Sequence, residues 1–270
     1  MIRIKNGPVA YFDILGYENI NSSNEIEKVA QIIIDHLDGI PANLSDFMKD
    51  IISPVGLREK DKDRFAKSIS CILLSDSVIL TAEQPLKRIN AEVKLVKWLF
   101  FILACWMLMN RMFNRGLLLR GAVGYGRYFR KRNCFAGKPI IDSIRMAESL
   151  NLAGCAFVPN AWKEVEGAMA AKGLEQMADF IRSITFRYEA PLKSCTSRQS
   201  LKSQVMMVFD IKDNIGEKVS NAFTSYNRKI TEKVKPKIEN TAMMIESFIK
   251  CKEVCRENYC IKKGSKIIHE

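Results

Sequence analysis

The stretch Val9-Ala10-Tyr11-Phe12-Asp13-Ile14-Leu15-Gly16-Tyr17 decides the fold. An apolar run of strand length is broken by one carboxylate and closed by a glycine, which predicts a buried strand over 9–15 with Asp13 near its exit. A second segment, 70–82 (SCILLSDSVILTA), has two β-rich apolar halves around Ser75-Asp76-Ser77. That is the pattern of a hairpin with an acidic residue at its tip. An ionised carboxylate is costly to bury unless it is paired or binds a cation. Taken singly, either aspartate also fits an ordinary strand-end residue bonded to a turn. Together at neighbouring strand ends they form hard oxygen donors suited to Mg²⁺ or Mn²⁺, ions held by one or two carboxylates plus substrate phosphates. The tight exit at Ile14-Leu15-Gly16-Tyr17 offers backbone N–H groups to a phosphate.

Outward from this pair, residues 21–24 (NSSN) supply caps for a helix with the apolar stripe Ile26, Val29, Ile33 and Leu37. Residues 43–66 give no clear pattern, and the charge-rich part at 58–64 reads as an exposed loop. A long buried helix is predicted over 89–113. Its most apolar part, 98–109 (WLFFILACWMLM), is twelve residues long, well short of the ~20 that a bilayer demands. Strands are predicted at 117–125 (LLLRGAVGY), 155–158 and 205–210 (VMMVFD), and a helix over 137–152. Residues 214–260 read as long, mixed-charge helix interrupted at Pro236. The order β-α-ββ-α-β-α-β predicts an α+β sandwich, an antiparallel-rich central sheet with helices packed on one face. No repeat or low-complexity linker divides the chain, so the simplest partition is a main domain over 1–210 and a helical C-terminal extension over 211–270.

Composition narrows the chemistry. In 270 residues, 47% hydrophobic and 27% charged are ordinary globular values. Only two histidines occur, His36 and His269, far apart, which argues against Ser-His-Asp, Cys-His and multi-His zinc sites. Cys71, Cys105, Cys134, Cys155, Cys195, Cys251, Cys255 and Cys260 are scattered. With no signal-peptide h-region after the short start, they read as reduced thiols of a cytoplasmic protein. Cys251, Cys255 and Cys260 have helical spacing and neither a histidine nor a fourth cysteine nearby. Lys+Arg 42 against Asp+Glu 30 leaves a formal charge of +12, which suggests an anionic partner: nucleic acid, membrane surface or nucleotide. Residues 111–141 hold eight basic residues and no acidic one: Arg111, Arg115, Arg120, Arg127, Arg130, Lys131, Arg132 and Lys138. The run abuts the strand expected beside the aspartates, where a triphosphate needs cations; a solvated basic loop is the plainer alternative.

FDILGY at 12–17, LLSDS at 73–77, LRGAVGYG at 119–126 and AGKPIIDSIRMAESL at 136–150 resemble, in order and spacing, the four motifs of class III nucleotidyl cyclases. The resemblance covers residues 8–160. It implies the cyclase-type fold, a homodimer with sites at the interface, and two divalent cations (Mn²⁺ or Mg²⁺) shared by Asp13 and Asp76, with the Ile14 carbonyl completing one shell. Backbone from Phe12 through Leu15 and Gly16 to Tyr17 would hold the triphosphate. Arg145 falls on the family's transition-state arginine. The departures matter too. The family's purine-reading positions fall on Ile72 and Cys134, and its transition-state asparagine falls on Ile141. Lacking purine readers, the chain looks like the bacterial antiphage pyrimidine cyclases (Pycsar cyclases). That likeness implies UTP, or else CTP, as substrate, a 3′,5′-cyclic nucleotide and pyrophosphate as products, and a separate effector that reads the messenger. It would also place Arg120 against the base.

In that reading the ribose 3′-hydroxyl attacks the α-phosphorus in line, one ion lowers the hydroxyl's pKa, and no histidine base is needed. No nucleic acid and no membrane span are expected. Two alternatives stand beside it. One is a degenerate cyclase-like module that senses nucleotide without turnover; the other is a nucleic-acid-binding protein using the basic surface.

Overall fold

The computed structural model describes residues 3–38, 64–65, 67–84, 90–132, 134–193 and 204–262, the side chains after Glu253 excepted. Nearly all of 43–66, His269, Cys195 and the thiols of Cys255 and Cys260 lie outside the described residues.

The strands are β1 (Ile4–Ile14), β2 (Ile69–Leu74), β3 (Ser77–Ala82), β4 (Leu119–Lys131), β5 (Cys134–Ala136), β6 (Gly154–Phe157), β7 (Thr185–Tyr188) and β8 (Gln204–Met207). The helices are α1 (Tyr17–Ser23), α2 (Ile26–Ile33), α3 (Ala91–Asn114), α4 (Lys138–Ser149), α5 (Pro159–Met169), α6 (Glu175–Ile184), α7 (Ile215–Thr224) and α8 (Lys235–Lys262). A single π-helical turn, Ile34–Asp38, extends α2. The result is an α+β fold on one mixed sheet in the order β2-β3-β1-β4-β6-β8-β7, with β5 paired to β4. Among the described residues only β4 and β6 run parallel, and the other strand pairings are antiparallel.

Alternation along β1 separates two faces. Ala10, Phe12 and Ile14 enter the large core with α3, whose Trp98, Phe101, Leu103 and Cys105 are fully buried. Val9 and Tyr11 point the other way, into a small cluster with Ile72, Ile79, Tyr128 and Ile140 of α4. Register carries that second face across the sheet: Asp13 lies opposite Ser77 on β3 and Arg120 on β4, and Arg120 opposite Gly154 on β6. α4 covers β1 and β4 here, with Ser143 Oγ donating to the Val9 carbonyl at 3.3 Å. Further along, a side chain on Gly154 would meet Met244 of α8, and Phe186 on β7 stacks 5.2 Å from Phe248 of α8. The larger helical layer, led by α3, therefore lies on one face, while α4 and α8 cover parts of the other.

Several elements exceed the expectation from sequence. The long apolar α3 forms as predicted, and none of the described helices is long and apolar enough to cross a membrane. The last strand, predicted over 205–210, forms as β8 over Gln204–Met207 and ends three residues early. β5, β7, α5 and α6 carried too short or too mixed a pattern to be read. The C-terminal helices also share the main core: Val219 and Phe223 of α7 and Met244, Ile245 and Phe248 of α8 are buried in the same cluster as Phe12 and Phe157.

Candidate active site

Two tight turns bring the aspartates together. Ser75 takes a left-handed φ of 53°, so β2 returns into β3 within two residues and Asp76 sits in that turn. The Ile14 N–H donates to the Asp76 carbonyl at 3.1 Å, tying the exit of β1 to the hairpin tip. Asp13 pairs with Ser77 in the β1–β3 ladder. The two carboxylates thus occupy adjacent strand ends on one sheet edge, as the paired motifs predict. Tyr11, two residues before Asp13 and on the same face, places its hydroxyl 3.1 Å from Ser77 Oγ. Burial raises the Tyr11 pKa; the Ser77 hydrogen bond works against the rise, and the nearby charges of Asp13, Asp76 and Glu148 add to it.

Arg120 does not stand free to read a base. Its Nε donates to Asp13 Oδ1 at 3.1 Å and its Nη2 to Oδ2 at 2.7 Å. Its Nη1 donates to the carbonyls of Glu148 and Leu150, both at 3.3 Å. Only 6% of Arg120 is exposed, so this guanidinium is committed to Asp13 and to the end of α4. A two-point, largely buried grip of this kind fixes the carboxylate's orientation.

The phosphate-loop expectation narrows. The Phe12 ring is buried in the core, and the N–H groups of Ile14 and Leu15 donate to the carbonyls of Asp76 and Leu118. Gly16 (φ 77°) and Tyr17, at the head of α1, are the residues of this stretch whose amides no described residue accepts from. Glycine suits that left-handed corner because a Cβ is strained there.

The basic run disperses rather than converging on the aspartates. Arg120 and Arg130 are ten residues apart on one extended strand, about 33 Å end to end. Arg130 donates to Thr81 Oγ1 and the Cys71 carbonyl, Arg115 contacts His36, and Lys138 pairs with Asp142. Within one chain, Arg120 is the member of this run that contacts an aspartate of the pair, while Arg115, Arg130 and Lys138 have other partners. Ile141 and Arg145 share the outer face of α4 one turn apart; Ile141 is 49% exposed and Arg145 is exposed. Ile72 is buried beside Ile79, whereas Cys134 is exposed on β5 opposite Lys131.

Three further residues at this edge had no local signal. Arg228, after α7, donates to the carbonyls of Leu15 at 2.8 Å, Ser225 at 2.9 Å, Gly116 and Ala222. Burial lowers its pKa to about 10. Lys237 in the first turn of α8 and Lys193 after β7 lie close enough that Arg120 lowers and Asp13 raises the pKa of each, with burial the larger lowering cause in both. Only the tertiary fold brings these residues from 193–237 back to the start of the chain.

The donor chemistry fits divalent cations. Two carboxylates and the Ile14 carbonyl are hard oxygens at one edge, and among the described residues no cluster of three His, Cys, Asp or Glu offers a denser set.

Neither a protein-family model nor a curated protein matches the sequence. Among solved structures, the adenylyl cyclase CyaB from P. aeruginosa aligns at 12% identity and a TM-score of 0.42, over 79% of this chain and 98% of that one. The catalytic core of a rhodopsin-guanylyl cyclase with converted specificity, in complex with ATPαS, aligns at 10% identity and 0.47, over 77% and 99%. A class III adenylyl cyclase-like ATP-binding protein from Pseudomonas aeruginosa aligns at 14% and 0.43, over 66% and 40%. At these scores the likenesses carry no functional argument of their own, and the reading of the site rests on its residues.

Proposed function

We propose that the protein is a nucleotidyl cyclase, converting a nucleoside triphosphate to its 3′,5′-cyclic nucleotide and pyrophosphate. The observation that carries this is the placement of Asp13 and Asp76 on adjacent strand ends, locked by the Ile14–Asp76 hydrogen bond. Asp13, Asp76 and the Ile14 carbonyl would hold two divalent cations, which supply a Lewis acid for the 3′-hydroxyl and charge neutralisation for the departing pyrophosphate. Arg120 fixes the orientation of the Asp13 carboxylate through both of its oxygens. The amides of Gly16 and Tyr17 offer donors to the polyphosphate, and Tyr11 and Ser77 supply hydroxyls beside the carboxylates. Arg145, on the outer face of α4, is the candidate for stabilising charge at the α-phosphorus of a site shared with a second copy.

The finer reading is a pyrimidine substrate, UTP before CTP, with the cyclic product serving as a messenger to a separate effector in antiphage defence. It rests on the motif resemblance and on an incomplete purine pocket: Ile72 has no polar group for a purine edge, and Cys134 alone matches the guanylate-cyclase pair. Incubation with each of the four NTPs and Mn²⁺, with products identified by mass, tests both levels. A cyclic pyrimidine nucleotide whose formation stops on chelation is the expected result.

One observation favours binding without turnover: Ile141 replaces a polar side chain at the transition-state position. NTP binding with no pyrophosphate released would select that reading.

A further inference from the structure

The loop 148–153 gathers cations around Asp13. The carbonyls of Glu148 and Leu150 accept from Arg120, and the Ser149 carbonyl accepts from the Lys193 N–H at 2.9 Å. The Asn151 carbonyl accepts from Asn240 Nδ2 at 2.9 Å, and the Ala153 N–H donates to Thr241 Oγ1 at 2.8 Å. One short loop therefore fixes Arg120, the segment carrying Lys193 and the first turns of α8 against the same end of the sheet. Lys237, one turn before Thr241, lines a small cavity with Leu15, Gly16, Asn19, Arg228 and Lys229. That cavity has about 30 Å³ of free space, enough for one or two water-sized atoms, so a phosphoryl oxygen would enter it and a whole nucleotide would not.

The charges there are unbalanced. Arg120 is neutralised by Asp13. Among the described residues no acidic side chain forms an ion pair with Lys193, Lys229 or Lys237, and Glu148 is the other carboxylate whose field reaches Lys193. Burial and neighbouring cations lower the pKa of both Lys193 and Lys237, a cost that a bound anion would offset. Unlike the basic run of β4, these lysines come from chain distant in sequence: Lys237 lies beside the Gly16 corner, where an anion finds backbone N–H groups as well, and Lys193 is near enough to feel the charges of Lys237 and Asp13.

We propose that Lys193 and Lys237 anchor the terminal phosphates of the substrate, which makes the C-terminal helix α8 part of the active site of the same chain. This rests on the cyclase reading above and extends it: residues 211–270 supply binding energy for the polyphosphate, and affinity at this anchor depends on the number of phosphates rather than on the base.

Binding of the four 3′-deoxynucleoside triphosphates, which lack the attacking hydroxyl, and of the corresponding monophosphates tests it in the presence of Mn²⁺. Lys193→Met and Lys237→Met are each expected to weaken triphosphate binding about tenfold, the loss of one charge-assisted contact. Monophosphate binding stays unchanged, and Lys237→Arg stays within about threefold of the parent. Unchanged melting temperatures exclude a folding defect. Equal triphosphate affinity in Lys193→Met/Lys237→Met and parent overturns the anchor while leaving the cyclase reading intact, as does equal weakening of mono- and triphosphate. A parent protein that binds no triphosphate overturns both, whereas cyclisation surviving Asp13→Ala overturns the reading of the metal site but not the lysine result.

Discussion

Arg120 holds both oxygens of Asp13, at 3.1 and 2.7 Å, from a site where 8% of the arginine side chain and 16% of the aspartate side chain meet solvent. Asp76, the other carboxylate of the pair, has no such partner among the described residues, where Ser77 Oγ approaches it at 3.5 Å. Two aspartates with one proposed role thus have different structural weights. Asp13→Asn leaves a buried guanidinium facing an amide, at a cost of about 3 kcal/mol. Asp76→Asn, half-buried in a turn, stays within about 0.5 kcal/mol of the parent. Cyclisation falls more than about a hundredfold in both. Urea unfolding beside turnover separates the two effects; equal stability losses would show that the Asp13–Arg120 pair contributes nothing special.

The same grip sets Arg120 against the cation that Asp13 would bind. In Arg120→Met the carboxylate loses its competitor and its support together. Stability is expected to drop by about 3 kcal/mol, the penalty for stranding one partner of a buried pair. The Mn²⁺ concentration giving half-maximal turnover is expected to fall several-fold. A rise in that concentration would show that Arg120 prepares Asp13 for the ion rather than competing with it.

Much of this was readable in the sequence wherever the signal was local. YFDILG and LLSDS each combine an apolar run with one carboxylate and a turn, so strand, turn and charge were encoded within seven residues. What stayed hidden depends on register and long-range packing. Nothing near Arg120 says that its guanidinium crosses to the opposite strand, because only the Asp13↔Arg120 pairing places it there. The basic run looked concentrated because sequence counts residues, whereas an extended strand separates them by about 3.3 Å each. Lys193, Arg228 and Lys237 lie in segments with unremarkable composition, and their site is created by the loop 148–153 and the carbonyl of Leu15.

Gly121 faces Phe12 across the β1–β4 ladder, and a Cβ there would lie 2.3 Å from the Phe12 ring and 2.6 Å from the Tyr11 carbonyl oxygen. Rotating the ring relieves the first clash but not the second, since the oxygen belongs to the strand itself. Gly121→Ala is therefore expected to cost about 3 kcal/mol and to shift Asp13, one residue from Phe12, enough to reduce turnover. Phe12→Leu in the same background recovers part of the stability. Full recovery would assign the whole effect to the ring.

His36 links the region behind the Gly16 corner to proton concentration. Its Nδ1 accepts from Arg115 Nη1 at 3.1 Å, and its Nε2 lies 2.9 Å from the Tyr226 hydroxyl, which donates to the Arg115 carbonyl at 2.6 Å. Neutral imidazole with the proton on Nε2 satisfies every contact; a charged ring would aim an N–H at the Arg115 cation. Burial first and Arg115 second hold the His36 pKa below 6.5, with Asp35 opposing and Arg111 adding to the effect. The unfolded chain then binds more protons than the folded one between the depressed folded value and 6.5. Stability is expected to be flat above pH 7, to fall as the pH drops through that window, and to lose this contribution to the slope below it. Urea midpoints measured from pH 8 to pH 5 on the parent and on His36→Gln check this, since the glutamine variant lacks the titrating group and gives the flatter curve. Tyr226 lies two residues before Arg228, whose guanidinium holds the Leu15 carbonyl. The midpoint shift is therefore expected to be accompanied by weaker triphosphate binding at low pH in the parent and not in the variant. An identical pH dependence in both proteins would remove His36 from this role.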